Sequence, residues 1–196
     1  LSELVSFPVL GGQSNLTILE HIEGYLNELG IISHRVYNND QTKASLHARI
    51  GPAVDGGVIL SGHMDVVPVE GQNWSTDPFS LVEKEGKLFA RGSCDMKGFD
   101  ACCLAAVPYM LAADLEKPIY LAFSYDEEIG CLGAPDLVNA INDHYQEKPA
   151  FAIIGEPSMM QPVVGQKGIC IFKTTVNGSA GHSSRIKQEV SAIHEA

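Results

Sequence analysis

Apolar positions along the chain follow two periods, and the switches between them mark its elements. After Ser14 and Asn15, plausible helix caps, Leu16, Leu19, Ile22, Leu26 and Leu29 recur at helical spacing. Gly30 ends the run, so this stretch predicts an amphipathic helix. Apolar and β-branched runs at 31–37, 45–50, 58–62, 118–124 and 150–154 predict strands, and 79–90 predicts a hairpin turning over Lys84, Glu85 and Gly86. Helical stretches near 97–113 and 131–143 lie between the later strands. Strands alternating with helices imply an α/β fold. The expected architecture is a mixed, largely parallel sheet flanked by helices, with an antiparallel hairpin inside it.

The texture changes after residue 167. Residues 168–176 (GICIFKTTV) alternate and predict a strand, NGSAGHSS at 177–184 reads as a loop, and 188–196 begins a helix. This places a boundary near 164–168. Residues 1–167 form one domain and 168–196 the opening of a second, smaller α/β domain.

Composition narrows the class. Hydrophobic residues make up 45% of the 196 positions and charged residues 19%, which fits a globular domain and not a disordered or rod-like chain. Thirteen basic against 24 acidic residues give a net charge of -11, so a surface that binds nucleic-acid phosphates is not expected. The longest apolar stretch, 101–113, is too short to span a bilayer and contains Pro108; it predicts a buried helix and no membrane partner. Five cysteines form an odd set without a Cys-x-x-Cys pair, and Cys102 and Cys103 are adjacent. Neither a disulfide framework nor a thiolate zinc site fits, and a reducing cytoplasm is the expected compartment.

Four apolar runs end in chemistry. GVILSGHMDVVP carries His63 and Asp65, KLFARGSCDMKG carries Asp95, YLAFSYDEEIG carries Asp126, Glu127 and Glu128, and AFAIIGEP carries Glu156. Asp65, Asp95, Glu128 and Glu156 recur at intervals of 28 to 33 residues, about one strand–helix unit each. In open α/β sheets functional groups gather at the carboxyl ends of strands, so these spacings bring the four loops to one rim. A single Asp after a strand usually caps a helix or forms a turn, and a single His is usually just hydrogen-bonded. Four such sites in register are harder to explain that way. A rim of one imidazole and several carboxylates repels itself unless a cation neutralises it, and oxygen and nitrogen donors without thiolate suit Zn²⁺, Co²⁺ or Mn²⁺. No G-x-G-x-x-G after a strand, Walker A loop or G-x-S-x-G elbow is present.

The motifs SGHMDVVP, RGSCDMKG, YDEEIG and GEP, in this order and spacing, resemble the two-metal amidohydrolase and peptidase family that includes aminoacylases, succinyl-diaminopimelate desuccinylase and acetylornithine deacetylase. LVSFP at 4–8, GQKG at 165–168 and NGSAGHSS at 177–184 extend the likeness. Within the family, DMKGF and SYDEEIGCLGA look most like the acetylornithine deacetylase branch. The resemblance implies a zinc-peptidase-like catalytic domain followed by a lid and dimerisation domain. It implies two divalent metal ions, Zn²⁺ or Co²⁺. His63 and Glu156 would be ligands of one metal, Asp95 the bridging carboxylate and Glu128 a ligand of the second. Asp65 would orient His63, Glu127 would be the general base, and His182 would reach the active site of the other subunit of a homodimer. The Asp95–Met96 peptide would be cis. A further histidine ligand is expected after the lid, and no stretch of these 196 residues corresponds to it, so the sequence is expected to be a piece of a longer enzyme. The implied reaction is hydrolysis of a small N-acyl amino acid, foremost N2-acetyl-L-ornithine in arginine biosynthesis. A desuccinylase or dipeptidase shares every ligand, and a non-catalytic metal-binding or dimerisation fragment is the alternative of another class.

Overall fold

In the computed structural model, which describes residues 1–182, 184 and 191–196, the chain opens with one helical turn, α1 (Ser2–Val5), and then forms the periodic helix, α2 (Leu16–Glu28). Ile18, Leu19, Ile22 and Leu26 are fully buried on one face of α2. Each such side chain contributes about 1.5–3 kcal/mol by leaving water, and Ile22→Ala would cost about 2–5 kcal/mol. Asn15 occupies the N-cap position, but its side chain makes no cap. It pairs instead with the Ala44 backbone, donating to Ala44 O at 2.7 Å and accepting from Ala44 N at 3.0 Å.

The strands of the main sheet are β1 (Ser33–Tyr37), β2 (Ala44–Ile50), β3 (Val58–His63), β6 (Ile119–Ser124) and β7 (Phe151–Ile154), in the order β1-β2-β6-β3-β7. The pairs β1–β2 and β2–β6 are antiparallel, while β6–β3 and β3–β7 are parallel. The fold is therefore a mixed α/β sheet with a parallel core. The hairpin β4 (Val82–Lys84) and β5 (Lys87–Phe89) pairs only with itself, outside the main sheet. That departs from the expectation of a hairpin inside the sheet. Its strands are three residues long and carry Glu83, Lys84 and Lys87, too charged to lie between buried strands.

Helices cover both faces. One core gathers α2, the inner faces of β2 and β6, and Cys103, Leu104 and Val107 of α3 (Lys97–Ala112). Pro108 lies inside α3 and cannot donate to the Leu104 carbonyl; the Tyr25 hydroxyl of α2 donates to that oxygen at 3.1 Å instead. The opposite core joins Tyr120 and Ala122 of β6 to Leu137 and Ile141 of α4 (Ala134–His144) and to Tyr145.

Contacts divide the chain into two units, Leu1–Met160 and Gln161–Ala196. In the second unit a single turn, α5 (Ala192–Glu195), is formed, and 188–190 of the expected helix lie outside the described residues. Residues 168–176 form no strand; Ile169, Ile171 and Phe172 are exposed. Alternation states which face a strand would bury, but a strand also needs a partner to take its N–H and C=O groups. No strand is formed among the described residues of this unit. Among the described residues, no helix is long and apolar enough to cross a membrane.

Candidate metal centre

The parallel pairing of β3 with β6 and β7 sets His63 opposite Ser124, so the loops after all three strands open on the same rim. Asp95 joins them from the turn that leads into α3. Two glycines allow that helix to approach. A Cβ at Gly62, the residue before His63, would lie 2.0 Å from Asp100 Oδ1, and one at Gly155, before Glu156, would lie 2.0 Å from the Phe99 ring. Lys97, at the start of α3, is buried and donates to Phe7 O at 2.7 Å, which ties the LVSFP segment to this helix. The Asp95–Met96 peptide is cis.

His63 is the centre of the group. Its Nδ1 lies 2.9 Å from the Asp65 backbone carbonyl and 3.5 Å from the Asp65 carboxylate. A carbonyl only accepts, so Nδ1 carries the hydrogen and Nε2 faces the rim. There Nε2 lies 3.2 Å from Asp95 Oδ1, 3.6 Å from Glu156 Oε1 and 3.7 Å from Glu127 Oε2. Two sets of three donor atoms lie within 4.8 Å of one another: His63, Asp95 and Glu128, and His63, Glu127 and Glu156. Asp65 is buried and also accepts the backbone N–H groups of Glu127 at 3.1 Å and Glu128 at 3.2 Å. Asp65 thus fixes the imidazole of one loop through its carbonyl and the two glutamates of another through its carboxylate.

The electrostatics suit a bound cation. Burial alone would drive the His63 pKa down, but the hydrogen bond and charge of Asp65 and the charges of Glu127 and Glu156 outweigh it and lift it to about 9. Burial, with Asp95 next, pushes Glu128 and Glu156 above the ordinary glutamate value. Carboxylates that resist ionising beside one another, around an imidazole that attracts positive charge, are a donor set completed by divalent metal. All of the donors are nitrogen and oxygen, which suits a divalent metal ion. Beneath them Asp100 is buried with neither carboxyl oxygen hydrogen-bonded, and burial holds its pKa well above the carboxylate range.

His63, Asp65, Asp95, Glu127, Glu128 and Glu156 are therefore brought together. His182 belongs to the second unit, where it is exposed and its Nδ1 accepts from the Ser184 hydroxyl at 2.8 Å and the Ser184 N–H at 3.2 Å. Three neighbours of the centre are not among the residues singled out for a role. The Cys131 thiol donates to Glu127 Oε1 at 3.6 Å. Asp126 accepts the Gly12 N–H at 2.8 Å and pairs with Lys43. Asp126 was visible as part of an acidic run, whereas nothing in the pattern marks Lys43 or Cys131.

The profile of peptidase family M20/M25/M40 matches residues 59–195. Acetylornithine deacetylase of Pasteurella multocida (strain Pm70) is 35% identical over 205 residues, covering 100% of this chain and 52% of the relative. The acetylornithine deacetylase of Pectobacterium carotovorum subsp. carotovorum (strain PC1) is 37% identical over 188 residues, covering 94% of this chain and 48% of that protein. The chain thus spans about half the length of the curated relatives it matches. Human carnosine dipeptidase 1 superposes with a TM-score of 0.64 at 26% identity over 78% of this chain and 36% of its own. Since the profile runs through most of the sequence and begins within the strand that carries His63, the chain belongs to peptidase family M20/M25/M40.

Proposed function

We propose that this chain supplies the metal-binding half of an amidohydrolase that deacetylates N2-acetyl-L-ornithine to L-ornithine and acetate, in the arginine biosynthesis of the cytoplasm. The observation that carries this reading is the convergence of His63 with Asp95, Glu127, Glu128 and Glu156 on one rim, in a chain related throughout to acetylornithine deacetylases. His63 and Glu156 would hold one divalent ion, Asp95 would bridge, and Glu128 would hold the second, as zinc or cobalt. When bound, such a pair supplies a Lewis acid for the acyl carbonyl and lowers the pKa of water toward about 7.

The chain's own residues do the rest. Glu127 accepts a proton from the attacking water at a carboxylate oxygen. Oxygen adds to the acyl carbon, the C–N bond breaks, and Glu127 returns the proton to the leaving amine, a role worth about 10²–10⁴-fold. Asp65 holds His63 in one tautomer and fixes the Glu127 and Glu128 backbone, so neither the base nor its neighbour must be ordered during the reaction. Residues 1–167 would form the catalytic domain and 168–196 the start of a lid and dimerisation domain. From that lid, His182 would stabilise the developing oxyanion in the other subunit of a homodimer.

The test is an assay on the full-length protein that carries this chain. Acetate release from N2-acetyl-L-ornithine should be abolished by a chelator and restored by Zn²⁺ or Co²⁺. Inertness toward this substrate with turnover of N-succinyl-diaminopimelate or of a dipeptide would move the reading to those members of the family.

A further inference from the structure

The acidic run after β6 has three members, and the proposed mechanism uses two. Asp126 is 2% exposed and its backbone takes a φ of 53°, an uncommon conformation for a residue other than glycine. One carboxylate oxygen accepts the Gly12 N–H at 2.8 Å and the other pairs with the Lys43 ammonium. Lys43 is itself held: its N–H donates to Asn38 Oδ1 at 2.9 Å, its carbonyl accepts from Asn38 N at 3.0 Å, and Asn15 clamps the next residue, Ala44. The connection between β1 and β2 therefore delivers a fixed positive charge to the residue immediately before Glu127. On the far side, Asp65 accepts the Glu127 and Glu128 amides.

We infer that Lys43 and Asp126 are a positioning pair that sets where Glu127 and Glu128 stand on the rim. The two glutamates are gripped from both sides, by Asp65 in the loop after β3 and by the Lys43–Asp126–Gly12 contact from the β1–β2 connection and the N-terminal segment. A buried ion pair gives little net stability over well-packed apolar side chains. Its value here is geometric: the backbone ahead of the base has one direction in which to leave Asp126.

This inference rests on the proposed roles of Glu127 and Glu128, and the experiment separates the two. In the zinc-loaded full-length protein, Lys43→Met should lower kcat by about 10- to 100-fold with KM changed little, because small misplacements of a catalytic group are that costly. Lys43→Arg, which keeps the cation, should restore most of the rate. Asp126→Asn combined with Lys43→Met should be no slower than the worse single variant, since both break one device. Amide hydrogen exchange at Glu127 and Glu128 should rise in Lys43→Met while the β3 amides keep their protection. A kcat within twofold of the unmodified protein in Lys43→Met, multiplicative effects in the double variant, or a rate loss that Lys43→Arg fails to restore would each overturn the positioning role. Should Glu127→Gln retain full kcat, the base assignment fails instead, and the exchange pattern alone then decides the inference: unchanged Glu127 and Glu128 exchange in Lys43→Met overturns it.

Discussion

Two buried histidines of the same sheet are driven in opposite directions. His63, at the end of β3, is 1% exposed, and His47, on β2, is 2% exposed, so burial works against a charge on both. At the rim, Asp65, Glu127 and Glu156 outweigh burial and lift His63 to about 9. On the α4 face, burial comes first and the neighbouring imidazoles of His34 and His144 add to it, holding His47 at about 4. The three rings there lie with centroids 3.9–5.4 Å apart, and His47 Nδ1 is hydrogen-bonded to the Tyr145 hydroxyl at 3.1 Å. A cavity of about 610 Å³ opens beside this group, lined by His34, Arg49, His144, Tyr145 and Glu147, and none of the strand-end carboxylates lines it. Neither burial nor concavity marks the chemistry. What distinguishes the rim is a surplus of carboxylate oxygens around one nitrogen.

The contrast can be broken most severely at the proposed base. Glu127→Gln keeps the shape of the rim and removes the proposed proton acceptor, so kcat of the full-length protein should fall by about 10²–10⁴-fold with zinc stoichiometry unchanged. Steady-state kinetics paired with metal analysis checks this. The next effect belongs to the other region. His47 is depressed in the folded chain, so the unfolded chain binds its proton first as pH falls. The contribution of His47 to stability is full above about pH 6.5 and is lost toward pH 4, amounting to roughly 3 kcal/mol. Denaturant titrations from pH 7 to 4 should show a loss that His47→Leu lacks. Smaller again is Asp65→Ala, which keeps the backbone carbonyl on His63 Nδ1 but removes the carboxylate beside that ring and the acceptor of two backbone amides; it should weaken zinc binding by about 10–100-fold in a competition titration. The smallest change is Tyr145→Phe, which removes one hydrogen bond from His47 and should cost about 0.5–1.5 kcal/mol of stability with kcat unchanged.

Most of the rim was legible because His63, Glu127, Glu128 and Glu156 closely follow apolar runs, where periodicity fixes the strand end and parallel pairing fixes the side. Those four needed no long-range information beyond that, whereas Asp95 follows the separate β4–β5 hairpin and reaches the rim from the turn into α3. Lys43 was not legible: it sits in a polar turn, and its partner Asp126 is 83 positions away. Asn15 reads as a helix cap, yet its side chain serves Ala44, because a backbone across the core outcompeted the local amides. The alternation of 168–176 names a buried face without naming a sheet, and those residues form no strand. Asp100 looks like the polar side of an apolar helix, and its burial against Gly62 follows from how closely α3 meets β3.

Anomalous diffraction at the zinc edge from crystals of the zinc-loaded full-length protein tests the centre most directly. Two peaks should lie on the rim, one within about 2.0–2.2 Å of His63 Nε2 and a Glu156 oxygen and the other at that distance from Glu128, with Asp95 touching both. A rim without zinc density, with the metal seated instead among His34, His47 and His144, would contradict the assignment of the strand-end carboxylates as the metal centre.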